Sequence, residues 1–173
     1  LDSMRYILHA HYRLEAYIDL AGYNWEPVGK STSKFTGSFD GNGHIISNLT
    51  YNSQKQYYAL FGYYEPAVLG DSIKNLGMLD VNINNNTNQT GAIVGYAVGA
   101  SVYNCFVTGL IRGTNYTGGI IGMSDGTLVQ NCYSTASVFS SGSSSGGICG
   151  YASSNSQIKN CYATGYISSS SGS

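Results

Sequence analysis

Nine carboxylates are the first groups to weigh for chemistry, because acid–base catalysis on a polysaccharide needs two of them facing one bond. Eight lie before residue 81, and only Asp125 follows. Asp71 and Asp80 flank one expected strand without a facing partner, so both read as solvated turn carboxylates. Asp40, beside His44, reads as a turn former. Asp80-Val-Asn-Ile-Asn84 puts three oxygen side chains on one strand face, but calcium calls for more carboxylate and a curved loop. His9, His11 and Glu15 lack the His-Glu-x-x-His spacing of a zinc protease. No Gly-rich phosphate loop follows a strand and opens a helix. No catalytic residue, metal site or cofactor is expected.

The cysteines are 105, 132, 149 and 161, with no Cys-x-x-Cys pair that would suggest zinc. Cys105, Cys132 and Cys161 recur at one place in a repeat, where earlier copies carry Leu49 and Leu76. Leucine standing in for cysteine marks the place as apolar. Buried free thiols are therefore expected, although adjacent coils would also bring sulfurs within disulfide reach.

One pattern could bind rather than react. Phe106, Tyr133 and Tyr162 form one column of the repeat, with Thr108, Thr135 and Thr164 beside it. Aromatic faces stack on sugar rings and hydroxyls bond their edges, so these six residues are the candidate glycan site. The competing reading is structural, since cross-strand aromatic and threonine ladders stabilise sheets by roughly 0.2–1 kcal/mol per pair.

The repeat that creates these columns is the strongest signal in the chain. Gly91-Ala-Ile-Val-Gly-Tyr96, Gly118-Gly-Ile-Ile-Gly-Met123 and Gly146-Gly-Ile-Cys-Gly-Tyr151 are three copies of one segment. Each is followed by a second: Val102-Tyr-Asn-Cys-Phe-Val-Thr-Gly109, Val129-Gln-Asn-Cys-Tyr-Ser-Thr-Ala136 and Ile158-Lys-Asn-Cys-Tyr-Ala-Thr-Gly165. Asn48, Asn75, Asn104, Asn131 and Asn160 are spaced by 27, 29, 27 and 29 residues. A period of about 28 residues holds two or three short strands and their turns. Stacked coils bury for one another an apolar face that none can bury alone.

Parity within the coil follows from side-chain alternation. Cys105, Val107, Gly109 and Ile111 should point inward, against Phe106, Thr108 and Leu110 outward. The two adjacent apolar residues of the Gly-Ile-Ile-Gly strand leave its parity open. The asparagines suit a bend, where their amides can bond along the axis. With Cys105, Cys132 and Cys161 they make the expected structural ladder.

The expected fold is therefore all-β, a right-handed parallel β-helix forming one domain over 1–173. Residues 1–20 break the repeat and read as a cap. Met4, Ile7, Leu8 and His11 have helical spacing, and Tyr12, Leu14, Ala16, Ile18 and Leu20 alternate as a strand. Residues 21–58 are the first coils, 59–167 the regular repeats and 168–173 a Ser-rich tail. No cap-like segment ends the chain, so further repeats or domains are expected after residue 173.

Trp25-Glu-Pro-Val-Gly29, Phe35-Thr-Gly-Ser-Phe-Asp-Gly-Asn-Gly-His44, the Ile-x-Asn-Leu segments and the Gly-Gly-Ile-x-Gly segments resemble the GLUG-repeat family. The likeness runs from about residue 5 to 168. It implies a parallel β-helix in bacterial surface or secreted proteins, such as adhesin-like proteins and the non-catalytic region of IgA-specific metallopeptidases. The family supplies no catalytic residues to carry over.

Charge is sparse at 10 % with a net charge of −1, so no basic face tracks phosphates and nucleic acid is excluded as a partner. No run of 18 apolar residues exists, so membrane insertion is not expected. The expected function is a secreted or cell-surface adhesion or spacer domain, with a glycan or host surface protein as the partner. The alternative is a polysaccharide-processing β-helix enzyme.

Overall fold

The structure is a computed structural model and describes residues 1–53, 56–153 and 155–170. The chain forms a parallel β-solenoid of about six turns with coils of about 28 residues. The coils contribute short strands to three faces. The first sheet stacks His11–Arg13, Ser38–Asp40, Ile73–Lys74, Ser101–Tyr103, Leu128–Gln130 and Gln157–Lys159, all parallel. The second runs from Ile18–Asp19 through Ile45–Ser47, Gly77–Asn85, Phe106–Gly113 and Tyr133–Ser134 to Tyr162–Ala163. A continuation past a corner adds Thr50–Ser53, Ser137–Ser140 and Ile167–Ser169. The third stacks Phe61–Tyr64, Val94–Val98, Ile121–Asp125 and Cys149–Ala152.

The register fixes the coil lengths. Tyr12, Phe39, Ile73, Val102, Val129 and Ile158 stack in one inward column. The steps along it are 27, 34, 29, 27 and 29 residues. Most of the surplus in the long coil lies in an excursion, Glu65 to Asp71, that leaves the third sheet before the first sheet resumes at Ile73–Lys74.

Two boundaries differ from those expected. Residues 11–20 are not a cap, because His11–Arg13 and Ile18–Asp19 pair with Ser38–Asp40 and Ile45–Ser47 and so form part of the first coil. The turns before them pack on the first coil, with a 3-10 helix at Asp2–Arg5 that buries Met4. Helical spacing there reflected a few contacts onto the coil, too few to hold an α-helix. Ile167–Ser169 is a strand, so the expected Ser-rich tail begins later than residue 168, and residues 171–173 lie outside the described residues.

The core is aromatic at its N-terminal end and small-residue at the other. Trp25, Phe35, Phe39, Tyr58, Phe61 and Tyr64 are all buried, whereas the later coils fill with Val102, Cys105, Val129, Cys132, Ala136 and Val138. Inward parity was read correctly for Cys105, Val107 and Ile111 and for Cys132, Ser134, Ala136 and Val138, all buried. In the last coil the equivalent positions are open, with Ile158 45 % exposed where Val129 is 0 %.

This core predicts an alkaline limit to stability. Burial pushes the phenols of Tyr58 and Tyr64 and the thiol of Cys105 well above their ordinary values of 10.0 and 9.0. The unfolded chain ionises these groups at those ordinary values and the folded chain does not. Their contribution is full below about pH 9 and is lost as pH rises, by about 1.4 kcal/mol per pH unit for each titrating group. Asp40 acts at the other end. Burial raises its carboxyl, but the Asn75 amide, the Asn42 N–H and the Lys74 ammonium together hold it below 3.8. Its contribution is present above that pH and lost below it. Urea midpoints across pH should fall steeply above about pH 9 and gently below about pH 4. A flat alkaline limb would show that these groups are hydrated.

Candidate functional site

The described residues hold no group of three or more His, Cys, Asp or Glu placed to share a metal ion. His11 comes closest to a catalytic arrangement. Its Nδ1 lies 2.8 Å from Ser38 Oγ and 3.4 Å from Asp71 Oδ1. Both partners meet the same ring nitrogen, so the imidazole cannot pass a proton from one to the other as a serine hydrolase requires. Asp80 occupies a left-handed corner (φ 52°) and its N–H donates to Thr108 Oγ1 at 2.9 Å.

The asparagine column is a hydrogen-bonded ladder. Asn160, Asn131, Asn104 and Asn75 each donate from Nδ2 to the coil before, at 3.3, 3.3, 3.1 and 3.0 Å, the last to Asp40 Oδ1. All four asparagines have φ between 50° and 54°, a left-handed conformation that asparagine tolerates. Asn48 is not in this ladder. Ile46, two residues before it, pairs with Met78, and Thr50 pairs with Asn82, which puts Asn48 and Leu49 on the next corner, level with Asp80 and Val81. There Asn48 donates to Asp19 Oδ1 at 2.8 Å. Leu76 is the true predecessor of Cys105, because Ile73 pairs with Val102.

Substitution at the centre of the ladder separates its two functions. Asn104→Gly keeps the left-handed corner and loses two exposed hydrogen bonds, costing about 1 kcal/mol. Asn104→Ala adds about 1–2 kcal/mol of backbone strain. Equal losses in thermal denaturation would mean that the corner conformation contributes nothing.

The described cysteines are all free, with Cys105 and Cys132 buried and Cys149 and Cys161 half-buried. The Cys132 and Cys161 thiols donate to the carbonyls of Gln130 and Lys159, both at 3.2 Å, and lie 3.8 and 3.7 Å from the carbonyls of Val102 and Val129 one coil below. These sulfurs fill an apolar column.

Phe106, Tyr133 and Tyr162 stack in register with ring centroids 5.2 Å apart and planes 6° and 4° from parallel. Phe106 rests over Gly77, where a Cβ would lie 2.5 Å from the ring. Parallel stacking turns most of each ring face onto its neighbour. Outward it leaves ring edges and hydroxyls, and Tyr162 is 57 % exposed. Thr108 beside the stack is half-buried and engaged with Asp80, while Thr135 and Thr164 are exposed.

A second aromatic face lies on the third sheet, whose parity the sequence left open. Tyr63, Tyr96, Met123 and Tyr151 share one outward column. The last glycine of each Gly-x-x-x-Gly segment explains what flanks it. A Cβ on Gly95 would lie 2.5 Å from the Tyr57 carbonyl carbon, and one on Gly150 would lie 2.5 Å from that of Tyr116. Glycine lets these corner backbones lie against the sheet. Tyr57 then stacks on Tyr96 (6.0 Å, 16°) and meets Tyr63 edge-on, while Tyr116 meets Tyr151 at 5.2 Å. Burial raises the Tyr63 and Tyr96 phenols. The signal available in the sequence was the aromatic after the second glycine, in Gly95-Tyr96 and Gly150-Tyr151.

Comparison with known proteins agrees with this architecture. Residues 141–168 match the model of the GLUG motif. Over 89 residues the chain is 33 % identical to a protein of Evansella cellulosilytica provisionally named a Gly-rich membrane protein. That match covers 45 % of this chain and 10 % of the relative. A crystal structure from Bacteroides ovatus, provisionally named an immunoglobulin A1 protease, superposes with a TM-score of 0.79 at 27 % identity. The match covers 95 % of this chain and 54 % of that one, so the chain spans about half of the solved protein. No helix among the described residues is long and apolar enough to cross a membrane.

Proposed function

We propose that this chain, which carries the GLUG motif, is a non-catalytic segment of a bacterial surface or secreted protein, a stiff spacer with an adhesive flank. The observation that carries the reading is the pair of uninterrupted ladders. Asp40 and four asparagines, and beside them three stacked rings, tie successive coils along the axis. Such a column transmits load from coil to coil and commits few side chains to chemistry. The provisional names of the two relatives, a membrane protein and an immunoglobulin A1 protease, support an outward-facing setting.

The Phe106, Tyr133 and Tyr162 stack belongs first to the spacer. Any sugar it meets would use the ring edges and Thr135 and Thr164. A glycan array probed with the domain and with a Tyr133→Ala/Tyr162→Ala variant tests that assignment. Binding that the folded variant loses would move the stack from ladder to ligand site. Turnover of any polysaccharide by the isolated domain would overturn the non-catalytic reading.

A further inference from the structure

We infer that Cys132 and Cys161 form a two-thiolate site for a soft monovalent cation of the copper(I) and silver(I) class, held between adjacent coils. This goes beyond the spacer reading, which needs no bound ion.

The first observation is how the sulfurs are spaced. Phe106 pairs with Tyr133 and Tyr133 with Tyr162, so Cys105, Cys132 and Cys161 hold one register position in successive coils. Each thiol donates to the carbonyl two residues before it, of Tyr103, Gln130 and Lys159, at 3.2 Å in all three. The same contact at the same distance means the same rotamer. Neighbouring sulfurs are therefore set apart by the rise of one coil, about 4.8 Å. A disulfide needs sulfurs at about 2.0 Å, and both side chains would have to leave those carbonyls to form it. A linear sulfur–metal–sulfur bridge with bonds of about 2.3 Å spans about 4.6 Å, so the sulfurs scarcely move.

The second is what this spacing selects. The three sulfurs lie in a line and cannot converge on one ion, which is why no group of three or more ligands is found among the described residues. Zinc takes four ligands, and calcium takes six or more oxygens. Thiolates favour soft cations. A soft cation that accepts two opposed ligands is the class that fits between one coil and the next.

The third is the support around the pair. The Cys132 N–H donates to Cys161 Sγ at 3.4 Å. The Cys105 side chain, helped by the Cys105 N–H, holds the Cys132 thiol below 9.0 against the effect of burial. Burial raises the thiols of Cys105 and Cys161. Cys105 thus keeps its proton and presents it to the Cys132 sulfur. Cys161 is half-buried whereas Cys105 and Cys132 are buried, so an ion reaches the column at Cys161. Binding exchanges protons for metal with no change of oxidation state. Two S–H bonds break, both protons pass to solvent, and two metal–sulfur bonds form. The bridge carries one negative charge, which the Cys105 S–H and the Cys132 N–H face.

The test is titration of the reduced, oxygen-free domain with silver nitrate in competition with free cysteine. X-ray absorption at the silver edge counts the sulfurs, and zinc sulfate is the comparison. The expected result is one silver ion per domain on two sulfurs, with two protons released and no zinc bound. Cys132→Ser and Cys161→Ser should each weaken binding by about a hundredfold or more, and Cys105→Ala by about tenfold. Cys149→Ser, on the third sheet opposite Ile121, should bind as the parent does. Thermal melts establish that each variant is folded. Cys161→Ser, at the half-buried position, carries the test if Cys132→Ser does not fold. The proposal falls if free cysteine strips silver from the parent as readily as from Cys161→Ser. It falls equally if zinc binds as well, if Cys149→Ser loses as much affinity as Cys161→Ser, or if absorption counts three or more sulfurs.

Discussion

Phe61→Ala is expected to be the most damaging single truncation, lowering stability by about 3–5 kcal/mol. Phe61 is fully buried where the first three coils meet. Its ring stacks on Phe35 at 5.0 Å and meets Phe39 edge-on at 5.3 Å. Its backbone bridges Val28 in the coil below and Val94 in the coil above. Removal leaves a ring-sized void among other rings, which cannot collapse to fill it because each is held by its own strand. In a domain of this size the loss corresponds to roughly 10 °C or more in melting temperature. A solenoid is stabilised coil by coil, so the effect should be local. Hydrogen exchange should accelerate first at Val28, Phe35 and Phe39 and leave Val129 and Val138 near their parent rates. A uniform acceleration would show instead that the coils unfold as one unit.

Gly95→Val should be nearly as costly, at about 3 kcal/mol or more. The new Cβ would press on backbone, 2.5 Å from the Tyr57 carbonyl carbon and 2.7 Å from its Cα, and backbone cannot rotate aside as a long side chain can. The corner of the lower coil must lift, and the Tyr57 ring leaves Tyr96 as it does so. Gly43→Ala is the control, since nothing lies within 4 Å of its added Cβ and only its φ of 76° resists. Urea denaturation should rank Gly95→Val well below Gly43→Ala. The reverse order would mean that the coils are spaced more loosely than their register implies.

The second half of the chain was legible because each coil repeats one set of physical demands at one spacing. Gly-x-x-x-Gly admits a neighbouring corner, Asn takes a left-handed bend, and the next residue fills an apolar slot. The first coils were harder to read. Ile46-Ser-Asn-Leu-Thr50 looks like Ile73-Lys-Asn-Leu-Gly77 because both place asparagine at a left-handed corner, φ 56° and 53°. They are different corners of the coil, and a spacing of 27 residues concealed this. The corner Asp40-Gly-Asn-Gly-His44 is the cause. Seven residues separate Phe39 from Ile46, whereas five separate Val102 from Val107, so local similarity and true register part by one face. The tyrosine face was not legible because two apolar residues side by side in Gly-Ile-Ile-Gly hide the alternation that assigns parity elsewhere.

The excursion at Glu65 to Asp71 shows where this scaffold accepts foreign sequence. One coil is five to seven residues longer than the others, yet the strands on either side stay in parallel register with their neighbours. Val68 and Leu69 at its tip are 60 % and 102 % exposed. A peptide epitope grafted between Ala67 and Gly70 would begin beyond the last backbone bond to the coil below, from Ala67 N–H to Thr36 O at 2.9 Å. It would be displayed on a rigid support, level with a known coil.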